Sequence, residues 1–362
     1  MTKKSDLRSA ATYVPCLKVK GAELRAIASL SPMWTSVSDR LLPLFELAAP
    51  TDLSRRSAGE VHKAAVLIGR AWGQRPYFID GSRIAGSEFP NGLNPFRYAI
   101  REGIRLGAMA TPVLRLSSPA HHSTAVSEVL KEGGMAYGIA LRLSQRELFV
   151  DRLEDHLVDF CRTIGVNPDN CDIIIDRGYI DSNAIAEATT AAPLIFKRLP
   201  RPTAWRSVTL LGGSFPDRLD GLVGPDETKP LDRSEWPVYR AIGAALGPTD
   251  RGPLFGDYAM VHPSEEIRGG GKGRPNLRYT VSDKYQVARG NMTEANSEQL
   301  PRLAKTLVED SKVWCGKDFS PGDQFIHSLT RRDPEISNPQ RWREAGFAHH
   351  FVFVVEQLLE RR

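Results

Sequence analysis

The sequence predicts a (β/α)8 TIM-like barrel with an insertion after the eighth strand. Short apolar runs recur eight times along 362 residues, each is followed by a stretch with helical spacing, and the runs are apolar throughout. Runs that do not alternate mark strands buried on both faces, the condition of a parallel sheet wrapped by helices. Eight such units close into a barrel.

The runs begin at Tyr13, Leu41, Pro76, Thr111, Tyr137, Cys171, Ser207 and Leu254, with starts 26 to 47 residues apart. That spacing holds one strand, one helix and two loops. Between them, 21–30, 59–70, 94–106, 123–131, 146–164, 183–198 and 234–246 carry apolar residues at three-and-four spacing. An open doubly wound sheet is the competing arrangement. It usually shows a Gly-rich phosphate turn after the first strand, whereas here that strand ends Lys18-Val19-Lys20-Gly21-Ala22-Glu23.

Three segments are expected: 1–262 holds barrel strands one to eight with the first seven helices, 263–338 is the insertion, and 339–362 is the closing helix. Within the insertion, Arg268-Gly269-Gly270-Gly271-Lys272-Gly273-Arg274 reads as a basic loop. Residues 277–281 and 285–289 read as a hairpin turning at Ser282-Asp283, and a helix follows from about Asn296 to Glu309. The closing helix is read from about 347 onward, which would put His349-His350 at its N-terminus, beside the barrel mouth. Insertions in βα loops project from the C-terminal face, so this one is expected to act as a lid.

Composition fits a folded chain: 41% hydrophobic and 25% charged, with Gly and Pro together 55 residues. No run approaches the ~18 apolar residues of a membrane span. The basic N-terminus lacks an apolar signal region, so a cytoplasmic protein without membrane partners is expected. Cys16, Cys161, Cys171 and Cys315 are too scattered for a CxxC pair, which argues for reduced thiols and against a cysteine zinc site. The net charge is +5 and 35 of the 48 basic residues are Arg, a balance suited to an anionic partner.

The candidate site comes from the strand ends, where apolar runs stop at Lys18, Glu46, Asp80, Arg115, Arg142, Asp176 and Asp257. In a barrel these side chains converge at the mouth, where catalytic groups sit in this fold. The acids Glu46, Asp80, Asp176 and Asp257 are the candidate catalytic residues, as general acid and base or as holders of a divalent cation. Lys18, Arg115, Arg142 and Arg177 are the candidate clamps for an anion, joined by His262, His349 and His350. A charge-compensated ion network is the competing reading. His121-His122 reads as an ordinary helix start, and Gly212-Gly213-Ser214-Phe215 as a tight turn or a backbone phosphate cradle. The Gly269–Gly273 run lacks the spacing and the Ser or Thr of a phosphate loop, and no HExxH, GxSxG or strand-linked GxGxxG is present.

Several stretches carry a resemblance that covers most of the chain. They are Tyr13-Val14-Pro15-Cys16-Leu17-Lys18 with Gly21 and Glu23, Leu42-Pro43-Leu44-Phe45-Glu46-Leu47, Phe255-Gly256-Asp257-Tyr258, Arg289-Gly290, and Trp342-Arg343 with Gly346 and His349-His350. In these the chain resembles the beta family of phage and bacterial proteins, named after a beta protein of a T-even bacteriophage. The resemblance implies a setting in phage–host conflict and transfers no catalytic residue.

Two functions are expected from the residues and this setting. One is an enzyme, possible hydrolysis included, acting at the charged mouth on a phosphate-containing or nucleotide-like anion. The other is a non-catalytic component of a defence or counter-defence system that binds nucleic acid or a protein partner, its nucleic-acid affinity falling with salt. Glycoside hydrolysis by two of the acids also fits the fold, but the three bases and few aromatics among the strand ends make it less attractive.

Overall fold

The computed structural model describes residues 8–30, 34–47, 58–84, 94–132, 138–247, 250–264, 274–331 and 339–360. The chain forms a closed parallel barrel of β1 (Tyr13–Leu17), β2 (Leu44–Glu46), β3 (Pro76–Asp80), β4 (Met109–Leu114), β5 (Ile139–Ser144), β6 (Cys171–Tyr179), β7 (Ser207–Gly213) and β9 (Leu254–Asp257). The helices are α1 (Gly21–Ser29), α2 (Ala58–Trp72), α3 (Pro95–Arg105), α4 (Ala120–Lys131), α5 (Leu153–Ile164), α6 (Ile185–Lys197) and α7 (Glu235–Ala245), then α8 (Asn296–Glu309), α9 (Pro321–Leu329) and α10 (Pro339–Leu359).

Local chemistry accounts for the element ends. Asn94 caps α3 by accepting from the backbone N–H groups of Phe96 and Arg97, with Pro95 in the first turn. Gly165 stops α5 in the left-handed region at φ 87°. Ser320 caps α9 through the N–H of Asp323.

Register decides what faces the lumen. Cys16 pairs Leu44, Glu46 pairs Asp80, Ser144 pairs Asp176, and Leu211 pairs Gly256, so these positions share the inner face. The lumen is apolar at mid-height, with buried Cys16, Leu44, Phe78, Val113, Ala140 and Ile174. Its N-terminal end is closed by Asp172, which is paired with Arg8 and Arg206 and accepts from Ser207 Oγ at 2.6 Å. Arg8 also donates to Thr111 Oγ1 at 3.0 Å, so the segment before β1 plugs the barrel floor.

The insertion departs from the expected boundary at 262. Its hairpin, β10 (Asn276–Val281) and β11 (Lys284–Arg289), turns at Ser282-Asp283 as expected. A third strand, β8 (Thr228–Asp232), comes from the β7–α7 connection and pairs antiparallel with β11. Its partly exposed sequence TKPLD carries too few apolar residues to read as a strand before the partner is known. Leu277, Tyr279, Leu300, Leu303, Ile326 and Trp342 form a second small core between this sheet, α8, α9 and the start of α10. The basic glycine loop, apart from Arg274, lies outside the described residues.

Candidate functional site

Parallel pairing brings Glu46, Asp80, Arg142 and Asp176 together at the C-terminal end of the barrel, with Arg142 at the centre. Its Nη1 donates to Glu46 Oε1 and Asp80 Oδ2, each at 2.7 Å, its Nε to Asp176 Oδ2 at 2.9 Å, and its Nη2 to the Tyr258 hydroxyl at 2.6 Å. Burial opposes a charge on this guanidinium, yet Tyr258, Asp176 and Glu46 together hold it firmly protonated. Arg142 is 2% exposed with its fork fully engaged, so it organises the acids and is not open to an anion, contrary to the expectation of a ligand clamp.

The acids differ in what remains free on them. Asp80 Oδ1 accepts from Ser82 N–H at 2.8 Å, while its Oδ2 has Arg142 and, at 3.6 Å, Arg115. Burial pushes its carboxyl up, but the two arginines and Ser82 more than offset this and hold it below the ordinary range. Asp176 Oδ1 accepts from Gly178 N–H at 2.8 Å, and the Tyr258 hydroxyl donates to the same carboxylate at 2.8 Å. Glu46 is the exception: its Oε2 is buried without a hydrogen-bond partner, 3.9 Å from Lys18 Nζ and 4.0 Å from Arg83 Nε.

The rim is cationic. Lys18 Nζ donates to the Pro263 carbonyl at 2.8 Å, and burial lowers its pKa. Arg83, in the single turn Ser82–Ile84 after β3, and Arg115, after β4, are 30% and 27% exposed. Arg83 falls outside the strand-end pattern because it sits three residues past Asp80. His262 also reaches this end, its ring 4.7 Å from that of Tyr179, with Ser264 Oγ 2.8 Å from its Nδ1.

Among the described residues, no group of three His, Cys, Asp or Glu is arranged to hold a metal ion. The three convergent carboxylates already surround a guanidinium, and a divalent cation there would have to displace it.

A sequence model of the Beta protein family matches residues 13–356. The chain belongs to the Beta protein family. No curated protein matches the sequence. Among solved structures, this family member is similar to 3-dehydroquinate dehydratase from Enterococcus faecalis, at 15% identity and TM-score 0.31, over 57% of this chain and 80% of that one. It is similar to triosephosphate isomerase from Bartonella henselae, at 13% identity and TM-score 0.28, over 55% and 82%. The spore cortex-lytic enzyme SleL of Bacillus cereus aligns over 92% of this chain and 73% of its own, at 11% identity and TM-score 0.30. The barrel itself rests on the strand pairing already described. No helix among the described residues is long and apolar enough to cross a membrane.

Four expected site residues lie elsewhere. Asp257 pairs Gly212 and Pro15 on the outer face of β9, and the adjacent Tyr258 takes the inward position. Asp257 there accepts from the Tyr13 hydroxyl at 2.6 Å and from Ala259 N–H, and lies 3.0 Å from His350 Nε2. His350 and His349 are fully buried, because α10 starts at Pro339 and the pair falls mid-helix, not at its N-terminus. His349 bridges Asp323 Oδ2 and the Thr280 carbonyl, each at 2.9 Å, and His350 Nδ1 lies 2.7 Å from Thr280 Oγ1. Both histidines therefore join the closing helix to the inserted sheet. Arg177 leaves the face of β6 opposite Asp176, and a Cβ at the outward Gly212 would lie 3.6 Å from its Cβ. Within Gly212–Phe215, the Ser214 hydroxyl donates to Glu235 Oε2 and accepts from Ser234 N–H.

A separate groove of about 410 Å³ is lined by Asn94, Arg97, Tyr98, Arg101, Glu102 and Arg105 on the outer helical layer. Its arginines are paired with Glu102, Glu128 and Glu132, so it offers an anion little unbalanced charge.

Proposed function

We propose that the barrel mouth binds a small phosphate-bearing anion and that Glu46 is the group that acts on it. The observation that carries this reading is the buried Glu46 Oε2, left without a hydrogen-bond partner between Lys18 and Arg83. A buried acceptor in that state is costly, and a donor brought by a ligand would complete it. Lys18, Arg83 and Arg115 neutralise the phosphoryl oxygens, while Arg142 holds the Glu46 carboxylate in one orientation through Oε1. In a hydrolytic reaction, Glu46 Oε2 takes the proton of the attacking water as its oxygen bonds phosphorus and the leaving oxygen departs. Asp80 and Asp176, with both oxygens engaged, position Arg142 instead.

The setting in phage–host conflict belongs to this proposal and is supported by the family alone. Nucleic-acid or partner binding rests on the net charge and that same setting.

A thermal-shift screen with nucleotides, sugar phosphates, short nucleic acids and divalent cations tests the reading. A phosphate-bearing small molecule at a hundredfold excess over Kd should stabilise wild type by about 2.7 kcal/mol and raise its midpoint accordingly. Lys18→Ala with Arg83→Ala should abolish the shift, and Glu46→Gln should keep binding while losing turnover. An unchanged shift in the double variant, or none in wild type with any small anion, overturns it.

A further inference from the structure

This inference rests on reading the mouth as an anion site and deepens it by placing one subsite. His122, in the first turn of α4, is 1% exposed, and neither of its ring nitrogens has a hydrogen-bond partner. The ring lies flat on Phe96, with centroids 4.3 Å apart and planes 4° apart. Phe96 is pinned in turn against Gly81, where an added Cβ would meet its ring at 2.2 Å. Gly81 directly follows Asp80, so the stacked pair backs the β3–β4 wall of the mouth.

A filler at this position would be apolar. An imidazole stacked like a phenyl ring keeps the shape of Phe and adds two polar atoms that the protein leaves empty, an arrangement that burial penalises. Burial also lowers its pKa to about 4, so the ring is neutral near pH 7 and offers one donor and one acceptor. The main charge acting on the ring is the Asp80 carboxylate, which Arg115 and Arg142 offset. The α4 N-terminus is capped by Pro119 with no side-chain hydrogen bond, and the helix begins at the mouth end of the barrel. Arg115 stands just before it, with its guanidinium 3.6 Å from Asp80.

We infer that the first turn of α4, together with Arg115 and His122, forms a phosphoryl subsite of the mouth, in which a neutral His122 hydrogen-bonds the anion. Arg115 supplies the charge and the helix N-terminus supplies backbone donors. His122 adds specificity, since a protonated phosphate oxygen can donate to its unprotonated nitrogen while its N–H donates to another oxygen.

Titration with inorganic phosphate tests this. The His122→Phe variant keeps the stack on Phe96 and should be as stable as wild type or more so without ligand, yet bind phosphate at least tenfold more weakly. In wild type, the ¹⁵N resonances of the His122 ring, assigned by their loss in that variant, should move as phosphate saturates. Wild-type affinity in His122→Phe overturns the inference, as do ring resonances that stay fixed at saturation, a readout that needs no variant to fold. If Lys18→Ala weakens phosphate binding while His122→Phe does not, the subsite falls and the broader reading stands. If wild type takes up no phosphate, the subsite falls too, and organic phosphates alone then decide the broader reading.

Discussion

At the residue scale, the mouth is governed by one arginine. Replacing Arg142 leaves Glu46, Asp80 and Asp176 buried or nearly so without their shared partner, and removing one member of a buried ion cluster costs about 3–5 kcal/mol. Arg142→Leu should lower stability by that order in urea unfolding. Arg142→Lys should recover little, because an ammonium cannot span three carboxylates and a phenol as the planar fork does. Glu23 gives a different signal. It is buried, its Oε2 accepts from Lys18 N–H at 2.8 Å, and its Oε1 has no partner. Burial pushes its carboxyl up to about 7, against about 4.3 in an unfolded chain. A carboxyl raised by folding favours the protonated native state, so its stabilising contribution is full below about pH 4.3 and is lost as pH rises to about 7. The stability of wild type relative to Glu23→Gln should therefore decline over that window. A flat difference across it would show that Glu23 does not titrate there.

At the element scale, close backbone approaches tie the insertion to α10. A Cβ at Gly322 would lie 2.0 Å from the Ala345 carbonyl oxygen, and one at Gly346 would lie 2.8 Å from the Arg278 carbonyl oxygen. Backbone cannot yield as a side-chain tip can, so α9 must move away from α10 if residue 322 gains a methyl group. Gly322→Ala should cost about 1–3 kcal/mol or more, and should expose α9 to limited proteolysis before the barrel. The same contact bears on His349, whose N–H would lie 2.8 Å from that Cβ. A Gly322→Ala protein with unchanged proteolysis would place the α9–α10 contact elsewhere.

At the scale of the whole molecule, a buried polar network joins barrel and insertion. Tyr13, Asp257 and His350 connect β1, β9 and α10, and Thr280 carries the chain of contacts into the inserted sheet. Glu235 accepts from Tyr285 at 2.6 Å and from Ser214, and lies 3.2 Å from Arg233 Nε. Burial lowers the pKa of His350, while His350 and Arg233 outweigh the effect of burial on Asp257 and hold that carboxyl low, so the pair is neutral imidazole with carboxylate. A buried network of this kind couples the two parts into one cooperative unit. Wild type should then melt in a single calorimetric transition, and Asp257→Ala should split it, with the insertion melting first. A single sharp transition in Asp257→Ala would show that apolar contacts alone provide the coupling.

The sequence by itself determined the barrel and most of the mouth. Eight continuously apolar runs at a regular spacing have no better solution than strands buried on both faces, and a charge ending such a run has only the strand end to occupy. Glu46, Asp80, Arg142 and Asp176 were legible for that reason, and the Ser282-Asp283 turn followed from two short runs separated by two residues. What tertiary structure decided is direction. Whether Asp257 or Tyr258 enters the lumen depends on a one-residue register that only strand pairing sets, and period-two alternation then sends every neighbour to one face or the other. Helix α10 begins at Pro339 because its first turns pack in the second core, a partner invisible along the chain, and this moves His349 and His350 from a helix start to a buried joint. Strand β8 exists because β11 offers it a ladder, and His122 stands apart from an ordinary helix start only once Phe96 is seen beneath it.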